Sequence, residues 1–228
     1  MERIRNIIDK NLIGKKVLLL FVLTNLVYAI MLIVTIPKTM TFSNGMKLLD
    51  MMPMGYNSEY INSLFEALGK NGRQVYLYNQ LPIDMIYPFL FGISYCLLIG
   101  YFLKKLNKSR SVFFYLCFLP LIAGLADYLE NFGIIIMLNS YPNLSQTSMV
   151  ATNMFSVVKS MTTTVFFVAL IIALLMLGIK TMKEKKQVLT PCKNALKRSL
   201  AKTLYVSRHQ RRKEKRDGLL QLLFIDNN

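Results

Sequence analysis

Four long apolar runs constrain the fold of this chain more than any other feature. They cover residues 17–36, 83–103, 112–138 and 155–179. A helix of about 20 apolar residues is long enough to cross the hydrocarbon core of a bilayer. Because 54% of the residues are hydrophobic and these runs hold most of them, little is left for a separate soluble core. We therefore predict an all-α, polytopic membrane protein whose four transmembrane helices form an up-down bundle.

The uneven distribution of basic residues predicts how the spans are oriented. The net charge is +16, and residues 1–16, 104–111 and 180–228 hold 23 of the 28 lysines and arginines. Segment 139–154 holds none. An excess of lysine and arginine is typical of cytoplasmic segments. We therefore expect a multi-pass protein of the cell membrane, with both termini cytoplasmic and with segments 37–82 and 139–154 outside.

The first run follows a basic start, as the core of a signal peptide does. Its apolar core is longer than a signal core, however, and no small-x-small cleavage pattern follows it. We expect an uncleaved signal-anchor that ends at Pro37 and serves as a packing helix.

We predict two parts, a membrane domain of residues 1–182 and a basic cytoplasmic tail of residues 183–228. Within the external segment 37–82, the residues after Asn57 predict a short amphipathic helix that stops at Gly69. Its apolar face consists of Tyr60, Ile61, Leu64, Phe65 and Leu68. This helix either lies on the outer membrane surface or packs against the other external residues.

The tail has the pattern of a basic amphipathic helix. Thr190 and Pro191 are typical of a helix start, and Leu196, Leu200 and Leu204 recur every four residues among lysines and arginines. Such a helix would bind the anionic lipids of the inner leaflet. The alternative is a solvated tail that only enforces topology. Because no aromatic residues interleave its basic run, nucleic acid is not an expected partner.

Cysteine and histidine usage excludes several classes of function. The chain has three cysteines, no C-x-x-C pair and one histidine. These numbers argue against a disulfide framework, a thiol-redox enzyme and a zinc site. No motif specifies a nucleophile or a phosphate-binding loop, so we expect no cofactor, and an enzyme is the less favoured class.

Acidic and amide side chains interrupt the third run. Asp127, Glu130 and Asn131 lie in its middle, and Pro120 and Gly124 share the helical face of Asp127 and Asn131. A carboxylate in hydrocarbon costs several kcal/mol, and proline and glycine in a span need neighbouring helices. This face should therefore point into the bundle.

Ionisable residues on two other spans lie at comparable depths. At a rise of about 1.5 Å per residue, Glu130 and Asp127 lie roughly 12 and 16 Å in from the end of the third run. Lys159 lies roughly 6 Å in from the start of the fourth run, and Asp84 lies near the outer end of the second. Lys159 is expected to pair with Glu130 or Asp84. The candidate binding residues of this outward-facing site are Gln80, Asp84, Tyr87, Asp127, Glu130, Asn131 and Lys159.

Proline adds a further acceptor to this region. Pro88 follows Asp84 by one helical turn, and a helical proline leaves the carbonyl four residues back without its donor. We therefore expect the main-chain oxygen of Asp84 to be free beside its own carboxylate.

Three hypotheses account for the polar residues. In the first, they only lock the bundle of a structural or assembly protein, with Lys159 neutralising an acid and Asn131 and threonine hydroxyls satisfying the rest. In the second, they bind or transport a small solute or cation, because intramembrane ionisable groups often mark such paths. In the third, the acid pair performs general acid–base chemistry on a lipid-like substrate.

Residues 69–159 carry short motifs that are similar to a group of bacterial proteins. The motifs are Leu68-Gly69-x-x-Gly72-Arg73-x-x-Tyr76, then Gln80 with Asp84 and Pro88, Leu119-Pro120, Asp127-x-x-Glu130-Asn131 and Tyr141-Pro142. They resemble uncharacterised bacterial four-span integral membrane proteins. The resemblance implies a four-helix membrane bundle and no particular activity, and it does not extend to the tail.

Overall fold

A computed structural model describes residues 2–108 and 110–225, and for most of residues 186–225 it describes the backbone alone. All regular structure in this part of the chain is helical. Four of the described helical segments are long and apolar enough to cross a membrane, namely Gly14–Met40, Ser58–Lys105, Val112–Ser140 and Gln146–Lys185. The prediction of an all-helical chain with four membrane-spanning helices is therefore confirmed at the level of length and composition.

The first span consists of two α-helices that are joined by a π-helical turn. Helix α1 (Glu2–Asn11) precedes α2 (Gly14–Ile30), which continues through a π-helical turn at Met31–Thr35 into α3 (Ile36–Met40). The predicted end at Pro37 is wrong. Pro37 occupies the first turn of α3, where its missing N–H breaks no hydrogen bond, so the helix continues to Met40.

The segment after the first span folds back onto the protein. A 3₁₀ turn at Leu49–Met51 is followed by α4 (Ser58–Val75), whose first turn is capped by Asn57 Oδ1 accepting from the Tyr60 amide at 2.8 Å. Gly69 has φ 60° and interrupts the helical backbone within α4. The predicted apolar face is buried in a cluster with the first and third spans, which includes Ile61, Leu64, Phe65 and Leu68. The helix thus packs against the protein.

The second span begins with a broken helix. A π-helical turn at Tyr76–Gln80 leads into α5 (Leu81–Asp84), and α6 (Tyr87–Lys105) follows after a two-residue turn. Pro82 and Pro88 each occupy the first turn of their helix, where no intrahelical donor is needed. Asp84 therefore lies at a break between two helices.

The helix of the third span extends beyond its predicted end, and the helix of the fourth span begins before its predicted start. A 3₁₀ turn at Val112–Phe118 precedes α7 (Leu119–Ser140), and α8 (Gln146–Ile225) begins nine residues before the predicted start of the fourth span. No separate helix starts at Thr190, because α8 is continuous through Pro191. The predicted amphipathic face of the tail lies outside the side chains that are described.

The chain forms two compact units. Met1–Leu177 contains the helices from α1 to α7 and the part of α8 that packs with them. Gly178–Asn228 is helical through Ile225. Every side chain of the candidate site belongs to the first unit.

Close backbone contact between α6 and α7 positions the acidic side chains. A Cβ atom added to Gly124 would lie 2.7 Å from the Pro88 carbonyl oxygen and 3.8 Å from the Gly92 Cα atom. Only residues without a side chain allow this approach. Because Asp127 follows Gly124 by one turn and Asp84 precedes Pro88 by one turn, the crossing brings both acids to the same region.

Candidate functional site

A cavity of about 660 Å³ lies among the four spans. This volume is within the range of small-molecule binding sites, which is about 300–1,000 Å³. Its lining combines carboxylates, one lysine, hydroxyls and aromatic rings. The lining residues are Asn25, Tyr28, Met31, Leu32, Ile36, Asp50, Met51, Pro53, Asp84, Tyr87, Phe91, Tyr95, Ala123, Asp127, Lys159, Ser160, Thr163, Thr164 and Phe167.

Lys159 forms two ion pairs with the third span. Its Nζ atom lies 3.3 Å from Asp127 Oδ1 and also contacts Glu130 Oε2. Glu130 is completely buried and does not line the cavity, whereas Asp127 does. The sequence predicted that Lys159 lies roughly 6 Å from the start of its span. Because α8 begins at Gln146, Lys159 instead lies about 20 Å from the start of its helix. Lys159 thus contacts acids that lie near the middle of α7.

Asp84 differs from the other intramembrane acids in having no close partner for its carboxylate. The side chain is 3% exposed and lines the cavity. It makes no hydrogen bond and no ion pair with any residue that the structure describes. The residue therefore presents an unpaired carboxyl group to the cavity.

The main-chain oxygen of Asp84 is not free, which corrects the sequence prediction. It accepts a hydrogen bond from Asn131 Nδ2 at 3.1 Å. The helix breaks after Asp84, so this oxygen has no helical donor, and the amide of Asn131 supplies one from the neighbouring helix. Asn131 is fully buried behind the cavity and holds the break before α6 against α7.

Asp50 is a cavity residue that the sequence analysis missed. It lies in the 3₁₀ turn of the segment that follows the first span. Tyr76 donates to Asp50 Oδ1 at 2.7 Å, and Gln80 Nε2 donates to Oδ2 at 3.1 Å. Thr35 in turn donates to Gln80 Oε1, which links the first span to this network. A possible signal in the sequence was that Asp50 is the one acid between residues 37 and 58, within a run of leucines and methionines.

Tyr56 lies in the same segment as Asp50, near Asp50 and Glu130. Its amide donates to Asn153 Oδ1 at 2.7 Å, which fixes the segment to the fourth span. Burial raises the pKa of the Tyr56 hydroxyl well above its usual range, and the negative charge of Glu130 raises it further. This phenol therefore stays neutral and retains its proton.

Aromatic rings form much of the remaining wall. Tyr28 and Tyr87 stack with their ring centroids 5.3 Å apart, and the rings of Phe91 and Tyr95 are 4.7 Å apart. Tyr95 donates to Asn25 Oδ1 at 3.4 Å. The first span, which the sequence suggested was only a packing helix, contributes five lining residues, including Asn25 and Tyr28.

The seven predicted site residues fall into two groups. Four of them line the cavity, namely Asp84, Tyr87, Asp127 and Lys159. The other three are completely buried behind it and support it, namely Gln80, Glu130 and Asn131. All seven residues therefore lie in one region. The four lining residues could touch a ligand, and the three buried residues hold them in place.

No metal-binding arrangement of three or more His, Cys, Asp and Glu side chains occurs among the described residues. Comparison with protein-family models, with curated proteins and with solved structures finds no match to this chain. A function for the protein therefore has to be inferred from the residues of its cavity.

Proposed function

We propose that this integral membrane protein binds a small organic cation in its intramembrane cavity. The observation that carries the proposal is the charge of the site. Asp50, Asp84 and Asp127 line the cavity, and the one lysine that lines it is already paired with Asp127 and with the buried Glu130. A carboxylate within a span is strongly stabilised by a nearby positive charge. An amine or quaternary ammonium beside Asp84 would supply it.

The aromatic lining favours an organic cation as the ligand. Tyr28, Tyr87, Phe91, Tyr95 and Phe167 all line the cavity. A cation near the face of an aromatic ring is attracted by the ring quadrupole, with a contribution of about 0.5–2 kcal/mol. A cavity that is lined by both carboxylates and aromatic rings is typical of sites for ammonium groups.

The ion pairs of Lys159 have a different role in this proposal. Glu130 is sealed from the cavity, so its pairing with Lys159 holds α7 against α8 whether or not a ligand is bound. The hypothesis of a structural lock therefore applies to this pair. The binding hypothesis applies to Asp84, whose carboxylate has no such partner.

Equilibrium binding of radiolabelled tetramethylammonium tests the proposal. The protein in lipid nanodiscs should bind one equivalent, and Asp84→Asn should weaken the affinity by about tenfold or more, which corresponds to about 1.4 kcal/mol. The matched control is Glu59→Gln, which neutralises an exposed acid on α4 and should leave the affinity unchanged. Absence of binding to the wild-type protein, or equal affinity in Asp84→Asn, would contradict the proposal.

We also propose that both termini are cytoplasmic, with the basic tail on the anionic inner leaflet and with the end of the cavity at Asp50 facing outward. The distribution of lysine and arginine supports this orientation. Cys96 and Cys117 are buried, whereas Met54, in the segment that is expected outside, is 91% exposed. A membrane-impermeant maleimide applied to intact cells should therefore label Met54→Cys and leave Cys192 unlabelled until the cells are opened. Labelling of Cys192 in intact cells would reverse the orientation.

A further inference from the structure

Several residues of the first and fourth spans that line the cavity are also exposed, which indicates that the cavity opens between these two helices. Tyr28 and Leu32 on the first span are 42% and 44% exposed, and Phe167 on the fourth is 38% exposed. Thr164 is also exposed, and all four residues line the cavity. Residues that both line a cavity and are exposed are expected at an opening of the cavity. We call this opening, formed by Tyr28, Leu32, Thr164 and Phe167, the lateral mouth.

The lateral mouth lies at the depth of the hydrocarbon core. Tyr28 is near the middle of the span Gly14–Met40, about 20 Å from either end of it at a rise of about 1.5 Å per residue. The hydrocarbon core of a bilayer is about 30 Å thick. The middle of the span is therefore surrounded by acyl chains, so the lateral mouth opens into lipid and not into water.

The lining residues of the segment after the first span indicate a second opening. Pro53 is exposed and lines the cavity together with Asp50 and Met51, and all three belong to the segment outside the spans. We call this opening the loop mouth. The cavity thus connects the bilayer interior with a surface outside the spans, and its carboxylates lie along this connection.

We propose that the ligand is a single-chain cationic amphiphile that enters from the bilayer through the lateral mouth. This inference rests on the proposed cation site and adds the class of ligand. A small hydrophilic cation is excluded from hydrocarbon, so only a molecule that dissolves in the bilayer can use this mouth. Its ammonium head would lie between Asp84 and Asp127 among the aromatic rings. Its alkyl tail would leave between Leu32 and Phe167 and remain in lipid.

Displacement of radiolabelled tetramethylammonium by alkyltrimethylammonium ions of increasing chain length tests this inference in nanodiscs. Displacement is specific to the site, because a competitor that only partitions into the bilayer releases no bound label. Each methylene that moves from water into apolar surroundings should improve the apparent affinity about fourfold. Octyltrimethylammonium should therefore compete at a concentration at least a hundredfold lower than unlabelled tetramethylammonium does.

Two tryptophan variants of the fourth span test where the alkyl tail of the ligand lies. Thr164→Trp fills the lateral mouth and should remove most of the advantage of the octyl chain. Val168→Trp adds the same side chain one turn away, at a position that is 53% exposed and does not line the cavity, and should retain that advantage. Because the chain has no native tryptophan, the emission of each variant also reports whether it is folded.

The outcomes separate this inference from the proposed function. If the wild-type protein does not bind tetramethylammonium at all, the proposed function fails and the inference fails with it. If tetramethylammonium binds but the octyl compound competes no better, the amphiphile is excluded while the cation site stands. If folded Thr164→Trp and Val168→Trp keep the same octyl advantage, the tail does not pass through the lateral mouth.

Discussion

Replacing Lys159 with methionine is expected to lower the free energy of unfolding by about 3–5 kcal/mol, the range for removing one partner of a buried ion pair. Methionine keeps the length of the side chain and removes its charge. Glu130 would then be fully buried without a cation, and Asp127 would lose its partner at 3.3 Å. Titration with sodium dodecyl sulfate in mixed micelles, followed by circular dichroism, measures the change.

A double substitution distinguishes the loss of this pair from a general packing defect. In Lys159→Met/Glu130→Gln the buried charge is removed together with its partner, so at least half of the lost stability should return. Lys180→Met serves as a control, because Lys180 Nζ lies 4.0 Å from Glu184 Oε1 in an i,i+4 pair whose side chains are 33% and 62% exposed. That substitution should change stability by less than about 0.5 kcal/mol. A double variant as unstable as Lys159→Met alone would show that the ion pair is not the cause.

Replacing Asp50 with alanine is expected to release the segment that closes the cavity. Hydrogen bonds to a charged group contribute about 1.5–3 kcal/mol each, and Asp50 accepts two, from Tyr76 and Gln80. We expect the local stability of residues 48–57 to fall by about 3 kcal/mol. Hydrogen–deuterium exchange of the amides in this segment should then become about a hundredfold faster, while exchange in the middle of α7 stays unchanged.

Graded variants test the same network. Tyr76→Phe removes one of the two hydrogen bonds and should produce about half of the effect on exchange. Glu59→Ala removes an exposed acid of α4 and should produce none. If Asp50→Ala exchanged like the wild-type protein, Asp50 would not be what holds the segment over the cavity.

The length of the hydrophobic runs and the energetic cost of an unpaired charge in a membrane were enough to predict the four spans and the pairing of Lys159 with the third span. The four spans follow from runs that only a membrane can accommodate. The contact of Lys159 with the third span follows because carboxylates in hydrocarbon are stabilised by a cation, and the fourth run carries only one lysine or arginine. Lys159 does contact Glu130, one of the two partners that the sequence suggested. Such effects are local or depend on composition, so the sequence displays them directly.

Other features depend on how distant segments meet, and the sequence pattern does not contain that information. Asp50 reaches the cavity because its segment folds back over the bundle, which no periodicity predicts. Asn131 donates to the main-chain oxygen of Asp84 at the helix break because Gly92 and Gly124 let α6 and α7 approach closely. The end of the first span was misplaced for a local reason, since a π-helical turn before Pro37 lets the helix continue.

Modification by dicyclohexylcarbodiimide, mapped by mass spectrometry, tests the central claim most directly. This membrane-soluble reagent attacks accessible carboxyl groups within spans. The claim is that the carboxyl group of Asp84 is open to the cavity and available to a cation, whereas Glu130 is sealed against Lys159. Asp84 should be modified, tetramethylammonium should slow its modification, and Glu130 should remain unmodified. Modification of Glu130 at the rate of Asp84, or a rate at Asp84 that tetramethylammonium does not change, would contradict the account.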